Sequence, residues 1–278
     1  MKFKAQVAID ILIRNLFERT ADIGFLATDD DIRNFIQNYV SKYNENSVIL
    51  RDNIQKRFKE YVSKYSVYFD IVVLDNHGKL LVRLNDDIKT EKTDLAFVNK
   101  VLNSDEDYLE TYGFHDFIPQ YKKSLVYSYK VTKTNNQNSE NLGVLCLCFK
   151  FTDEMNGILT NLIDTKNKEC ITILDEDGFV IASSDRDHIK LGAKLPIVLN
   201  EEFKLISFAG RDYIAKTCET NGYQGFKGLK WYGHIMIPLE YAFLSDELNS
   251  KEVDDNIINA MMENEQHFSK ELKEVFNN

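Results

Sequence analysis

Ile71-Val72-Val73-Leu74-Asp75-Asn76-His77-Gly78 runs on into Lys79-Leu80-Leu81-Val82-Arg83-Leu84. The same phrase returns as Ile171-Thr172-Ile173-Leu174-Asp175-Glu176-Asp177-Gly178, followed by Phe179-Val180-Ile181-Ala182-Ser183-Ser184. Each copy is an apolar, β-branched run, an Asp-x-x-Gly turn and a second apolar run. The Asp side chain bonds the turn backbone and the Gly supplies a positive φ, so each copy reads as a β-hairpin. The copies start 100 residues apart, which predicts two similar modules in tandem, each opening an antiparallel sheet with a hairpin.

Working outward, residues 5 to 64 read as helical. Val7, Ile11, Leu12, Leu16, Ile23 and Phe25 recur at three- and four-residue spacing, as do Ile32, Phe35, Ile36, Tyr39 and Val40. A long N-terminal helix kinked at Gly24-Phe25 is expected. Asp29-Asp30-Asp31 sits where a second helix starts, placing acids at the positive end of its dipole. After the first hairpin come a polar helix (92–103), an irregular aromatic stretch from Tyr108 to Tyr121, and strands Ser124–Val131 and Leu142–Phe151. A helix at 152–165 leads to the second hairpin (170–184). Strands near 203–208, 212–219 and 231–238 complete a smaller sheet. The tail from Leu239 reads as helical, acidic and sparsely apolar. The fold class is therefore α+β. Its expected domains are an N-terminal helical scaffold (1–66), a first and larger module with the pocket (67–165), a second and smaller module (166–245), and an exit helix (246–278).

Composition excludes several classes. Of 278 residues, 44% are apolar and 28% charged, the balance of an ordinary globular chain able to bury two cores. A net charge of −10 argues against a general nucleic-acid binder, which needs a basic face. No apolar run is long enough to span a bilayer. Asp10 falls where a signal peptide keeps its apolar core. A cytoplasmic chain is the expectation; the alternative is an extracytoplasmic piece cut from between two membrane spans. Cys146 and Cys148 alternate with leucine and phenylalanine and face the same side of a strand, which fits core filler better than a redox pair.

Enzyme signatures fail in turn. The chain has no HExxH, no P-loop, no G-x-S-x-G and no Rossmann G-x-G-x-x-G. The five histidines show no ligand spacing, and His234, alternating with apolar neighbours, fits a core or pocket histidine better than a metal ligand. Asp75 and Asp175 are first residues of equivalent turns, so turn capping explains them better than paired catalysis. The loop from Gly222 to Gly228 has glycines but no following helix N-terminus to hold a phosphate. No cofactor, no metal and no catalytic residue is expected.

Pocket material concentrates in the first module. Thr111-Tyr112-Gly113-Phe114-His115-Asp116-Phe117-Ile118-Pro119-Gln120-Tyr121 is dense in aromatic and hydrogen-bonding groups and leads into Lys123-Ser124-Leu125-Val126-Tyr127-Ser128-Tyr129. On that strand Lys123, Leu125, Tyr127 and Tyr129 share one face, and Ser124, Val126 and Ser128 the other. A Lys-Tyr-Tyr face roofed by the aromatic loop encloses a small polar or anionic ligand, with Arg83 offering a forked donor. The plainer alternative packs Tyr127 and Tyr129 under the N-terminal helix and leaves Lys123 and Arg83 solvated. The candidate ligand residues are Arg83, Tyr112, His115, Asp116, Tyr121, Lys123, Tyr127 and Tyr129.

With this organisation the chain resembles the double Cache family, the PAS-like sensor modules of bacterial chemoreceptors, sensor kinases and cyclic-dinucleotide enzymes. The resemblance rests on Tyr68-Phe69-Asp70 with the first hairpin, Lys123 to Tyr129, the second hairpin, and Trp231-Tyr232-Gly233-His234-Ile235-Met236-Ile237-Pro238. It is strongest to the sensor half of a methyl-accepting chemotaxis protein. It implies small-molecule sensing in the first module, signalling through the flanking helices, a homodimer, and an output domain beyond Asn278. The amino-acid-binding branch of that family carries an Arg-x-Trp-Tyr stretch that this chain lacks, so an amino-acid ligand is not implied. A protein–protein docking module without a small-molecule ligand is the rival class.

Overall fold

The computed structural model describes residues 2–41, 45–136, 139–163 and 165–242; the expected exit helix at 246–278 lies outside them. The described residues group into two compact units, one within Met1–Arg14 and Thr152–Asn278, the other Asn15–Phe151. Helix α1 (Lys2–Ala27) contributes to both.

The unit Asn15–Phe151 holds α2 (Asp30–Ser41), α3 (Glu45–Lys64), α4 (Leu95–Leu102) and five strands: β1 (Tyr68–Asp75), β2 (Leu80–Arg83), β3 (Tyr108–Gly113), β4 (Ser124–Thr132) and β5 (Asn141–Phe149). Its sheet is antiparallel with the order β2-β1-β5-β4-β3. The other unit adds α5 (Phe151–Leu162) and strands β6 (Cys170–Leu174), β7 (Val180–Ser183), β8 (Lys204–Phe208), β9 (Arg211–Glu219) and β10 (Tyr232–Pro238), in the order β7-β6-β10-β9-β8. The two orders match strand for strand. The second sheet has the same number of strands and is the smaller in strand length, β6 having five residues against eight in β1 and β10 seven against nine in β5.

The repeat extends to single atoms. Asp75 Oδ1 accepts from the amides of His77 and Lys79, both at 2.8 Å, and Gly78 has φ +77°. Asp175 Oδ1 accepts from Asp177 N at 3.2 Å and Phe179 N at 2.8 Å, with Gly178 at φ +84°. Each glycine also admits a crossing chain: its carbonyl accepts from Thr93 N (2.8 Å) in one module and from Leu195 N (2.9 Å) in the other. Both first strands carry a bulge at the matching step, Val73/Leu74 and Ile173/Leu174.

Two expectations are corrected. Helix α1 runs through Gly24 without a break and ends at Ala27. A single glycine costs a helix only about 1 kcal/mol, and Thr28 then bonds back to the Gly24 carbonyl through both its amide and its hydroxyl. Asp29 caps α2, its Oδ1 accepting from Asp31 N at 2.9 Å. The second correction is that Tyr108 to Gly113 forms a strand. It lies at the sheet edge with every residue half-buried, so Tyr-Leu-Glu-Thr-Tyr-Gly shows no apolar alternation to read.

Within its unit, the start of α1 presses closely on the second sheet. A Cβ on Gly233 would fall 2.0 Å from the Ala5 carbonyl oxygen and 3.2 Å from Ile9 Cβ. Asp10 of the same helix accepts from the Thr220 hydroxyl (2.8 Å) and the Asn221 amide (2.9 Å), just past β9. The later part of α1 covers one face of the first sheet: Tyr68 OH donates to Asp22, and Tyr127 OH lies 3.4 Å from the Leu16 carbonyl.

Candidate functional site

The first sheet has two unlike faces. One carries Tyr108, Glu110, Tyr112, Leu125, Tyr127 and Tyr129, paired directly across β3 and β4. Tyr127 on this face is fully buried and points to α1. Burial pushes its phenol far up, and Glu110, bonded to it, is pushed up by burial as well. Lys123 Nζ sits 5.8 Å from the Tyr112 ring centroid, a cation over an aromatic face.

The opposite face carries Val72, Leu74, Val126, Val144, Cys146 and Cys148, packed against Val98 and Val101 of α4 and against Phe117 and Ile118. The aromatic loop therefore roofs the face of Ser124, Val126 and Ser128. Lys123, Tyr127 and Tyr129 do not line its underside, and the enclosure expected from them is not formed. Both cysteines are buried among these apolar groups as free thiols, and burial pushes Cys146 up to about 12.

Arg83 is neither solvated nor available as a fork. Its Nε donates to Asp70 Oδ2 at 3.1 Å, its Nη2 donates to the same oxygen and to the Phe117 carbonyl (3.1 Å), and its Nη1 donates to the Ile88 carbonyl (3.2 Å). Burial pushes the Asp70 carboxyl up while Arg83 and the amides of Asn85 and Ile71 pull it back. Both groups are buried, and the ion pair ties β1 and β2 to the covering loop. Asp116 provides a second tie, accepting from the Thr93 hydroxyl and from Asp94 N (2.8 Å) at the start of α4. Tyr121 supplies a third, with its ring centroid 4.2 Å from that of Phe69. These three candidates thus hold the cover in place.

His115 lies beneath that cover. It is 7% exposed, its Nε2 is 2.9 Å from the Thr111 hydroxyl, and Phe97 and Phe117 flank it at 5.7 and 5.4 Å. Burial lowers its pKa, offset in part by the Gly113 carbonyl and Asp116, so the ring is neutral near pH 7. Ser124 Oγ is buried without a hydrogen-bond partner, and His115 Nδ1 makes no well-aligned bond, the Gly113 carbonyl being the only backbone group that acts on the ring. Both are anchored at the same end of β3: Thr111 holds the histidine, and Gly113 pairs with Ser124. A Cβ on Gly113 would meet no atom within 4 Å, so the sheet leaves room beside Ser124. A neutral imidazole, a free hydroxyl and two aromatic walls are the elements of a small polar-ligand site. Of the eight candidates only His115 offers an unengaged polar atom on this face. Thr111, Ser124, Ser128 and Asp70 are the residues missed; strand alternation separates the two faces, but which one the helices cover is not written in that strand.

No protein-family description matches the chain, and no curated protein matches it. Solved structures do. The sensor domain of the Vibrio cholerae histidine kinase DctB aligns over 82% of this chain and 91% of its own, with 12% identity and a TM-score of 0.57. The ligand-binding domain of the Pseudomonas aeruginosa PAO1 amino-acid chemoreceptor PctC, solved with GABA, aligns over 84% and 96%, with 14% identity and a TM-score of 0.53. The extracellular domain of a histidine kinase, rpHK1S-Z16, aligns over 83% and 94%, with 14% identity and a TM-score of 0.51. Among the described residues no helix is long and apolar enough to cross a membrane. With its long N-terminal helix, its two five-stranded antiparallel sheets of one strand order and these neighbours, the chain has the fold of the bacterial double Cache sensor domains.

Proposed function

We propose that this chain is a small-molecule sensing module of a bacterial signalling protein, binding its ligand in the first module between the sheet and the loop 114–121. The observation that carries the reading is the partnerless buried Ser124 Oγ, with His115 Nδ1 making no well-aligned bond, beneath a cover strapped down by Arg83, Asp116 and Tyr121. Buried polar atoms in folded proteins are almost always hydrogen-bonded, so such a site asks for an occupant. The ligand is a small polar molecule. Arg83 is already engaged by Asp70, so no forked cation waits for an anion. The chemoreceptor structure solved with GABA makes amino acids worth including among the probes despite the missing Arg-x-Trp-Tyr stretch. The neighbour described as extracellular favours a place outside the cytoplasm over the cytoplasmic one expected from the N-terminus.

Signalling follows from differential affinity: a ligand that holds the cover closed stabilises the arrangement of sheet and helices compatible with closure. Helix α1, which contributes to both units, is the element suited to carry the change. A thermal-shift screen against amino acids including GABA, short carboxylates, amines, purines and phosphates tests the reading. Ligand at a hundred times its Kd adds about 2.7 kcal/mol, or about 5 to 10 °C in Tm. A broad screen without a shift would return the weight to a protein-docking module.

A further inference from the structure

The second module carries a feature that sensing in the first does not use. Four polar residues stand in a straight row across four strands: Ser183 on β7 opposite Thr172 on β6, Thr172 opposite His234 on β10, and His234 opposite Thr217 on β9. Directly opposed residues point to one face, and all four are at most 1% exposed. The same face is otherwise apolar, with Cys170, Leu174, Val180, Tyr213, Tyr232 and Met236.

Following the hydrogen bonds along the row leaves two atoms over. Ser183 is satisfied, donating to the Asp185 carbonyl at 3.0 Å and accepting from its amide at 3.2 Å. Thr217 Oγ1 accepts from Val198 N at 2.9 Å and lies 2.8 Å from His234 Nδ1. Among the described residues the Thr217 hydroxyl has no other acceptor in hydrogen-bond reach, so the arrangement that uses its proton donates it to Nδ1 and places the neutral ring's own proton on Nε2. His234 Nε2 and Thr172 Oγ1 have no partner. They belong to directly opposed residues on adjacent strands, whose Cβ atoms are about 5 Å apart in such a pair, so the two atoms sit on neighbouring side chains of one face.

The fold does not require these groups. By the hairpin repeat, Val72 stands where Thr172 does, and Cys146, opposite Val72, stands where His234 does. The first module fills the same two places with apolar side chains. Over the row lie residues 184–203, a connection without helix or strand. It is anchored by buried Ile189, Leu195 and Val198 and tied to Thr217 through backbone and hydroxyl. Connections longer than about 12–15 residues in compact domains usually serve a function, commonly as covers of a site.

We propose that the second module holds a ligand site of its own, in which a small uncharged molecule with a carbonyl or hydroxyl oxygen bridges His234 Nε2 and Thr172 Oγ1 beneath residues 185–199. An uncharged ligand fits because no cationic side chain stands in the row and the cations of the cover are engaged or exposed: Arg186 donates to the Thr152 carbonyl, Lys194 lies over the Phe179 ring and Lys190 is exposed. Lys216 on β9 donates to the carbonyls of Leu199 (2.9 Å) and Glu201 (2.6 Å). A buried anion would lack a counter-charge.

The test follows the ring nitrogens of His234 and His115 by NMR in the whole chain while acetamide, then ethanol, is added. The site predicts a saturable shift of His234 Nε2. Thr172→Val, the residue the first module uses, weakens it about five- to tenfold, the worth of one hydrogen bond. Thr172→Ser, which keeps the hydroxyl, retains it and guards against a misfolded valine variant. No saturation at His234 with either probe, or equal affinity in Thr172→Val, overturns the proposal. A response at His115 alone overturns it while leaving the first-module reading intact.

Discussion

At the scale of single residues, two groups make the folded state sensitive to small chemical changes. Gly178 combines φ +84° with a neighbour that leaves no space, since a Cβ there would lie 2.5 Å from the Leu195 carbonyl oxygen. Gly178→Ala should therefore lower stability by at least about 2 kcal/mol in urea unfolding, through backbone strain and loss of the Leu195 crossing. An unchanged midpoint would mean the turn does not need its glycine. His234 makes stability depend on pH. Burial lowers its pKa to about 4, against about 6.5 in an unfolded chain. Between those values the unfolded chain binds a proton that the folded one refuses. The stabilisation is complete above pH 6.5 and is lost as pH falls towards 4, a change on the order of 3 kcal/mol. Unfolding midpoints of wild type and His234→Gln, measured between pH 7 and 4.5, should converge on acidification. Parallel curves would mean the ring is not buried as described.

At the scale of elements, the Arg83–Asp70 pair links β1 and β2 to the chain over the first sheet at Phe117 and Ile88. Arg83→Met leaves Asp70 buried without its cation and should cost about 3–5 kcal/mol. Arg83→Met with Asp70→Leu should recover most of that loss, because the pair as a whole adds little to stability. A double variant as unstable as the single would instead make the ion pair itself the stabilising unit. The elements also mark how far the sequence could be read. The hairpins were legible because Asp75, Gly78, Asp175 and Gly178 act locally, within four residues. The cysteines of β5 were legible as core for the same reason, by alternation alone. Strand β3 was not, because an edge strand with both faces half-buried lacks a period. Tyr127 and Tyr129 lie on the helix face and not the loop face for a longer-range reason. Alternation groups residues by face, but Leu16, 111 positions from Tyr127, and Asp22, 46 positions from Tyr68, decide which face the helix takes. Ser124 stands on the face away from Tyr127, as alternation predicts, whereas the cover over that face is set by Phe117 and Ile118.

At the scale of the whole molecule, one supersecondary plan is used twice and filled differently. Both modules have the same strand order, the same bulge and the same Asp-x-x-Gly crossing. In the first, His115 Nδ1 and Ser124 Oγ, under the loop, are among the buried polar atoms without a well-formed bond; in the second, His234 Nε2 and Thr172 Oγ1 are, within the sheet itself. A shared plan with different buried polar groups lets hairpins and apolar strands fix the fold while a few side chains set what each module can hold. The claim most worth testing is that the first module binds its ligand on the loop face of its sheet. Calorimetric titration of wild type, Ser124→Ala and Tyr127→Phe with the compound giving the largest thermal shift tests it directly. Ser124→Ala should bind about tenfold more weakly and Tyr127→Phe as tightly as wild type. Full affinity in Ser124→Ala together with a loss in Tyr127→Phe would place the ligand on the helix face and contradict the account.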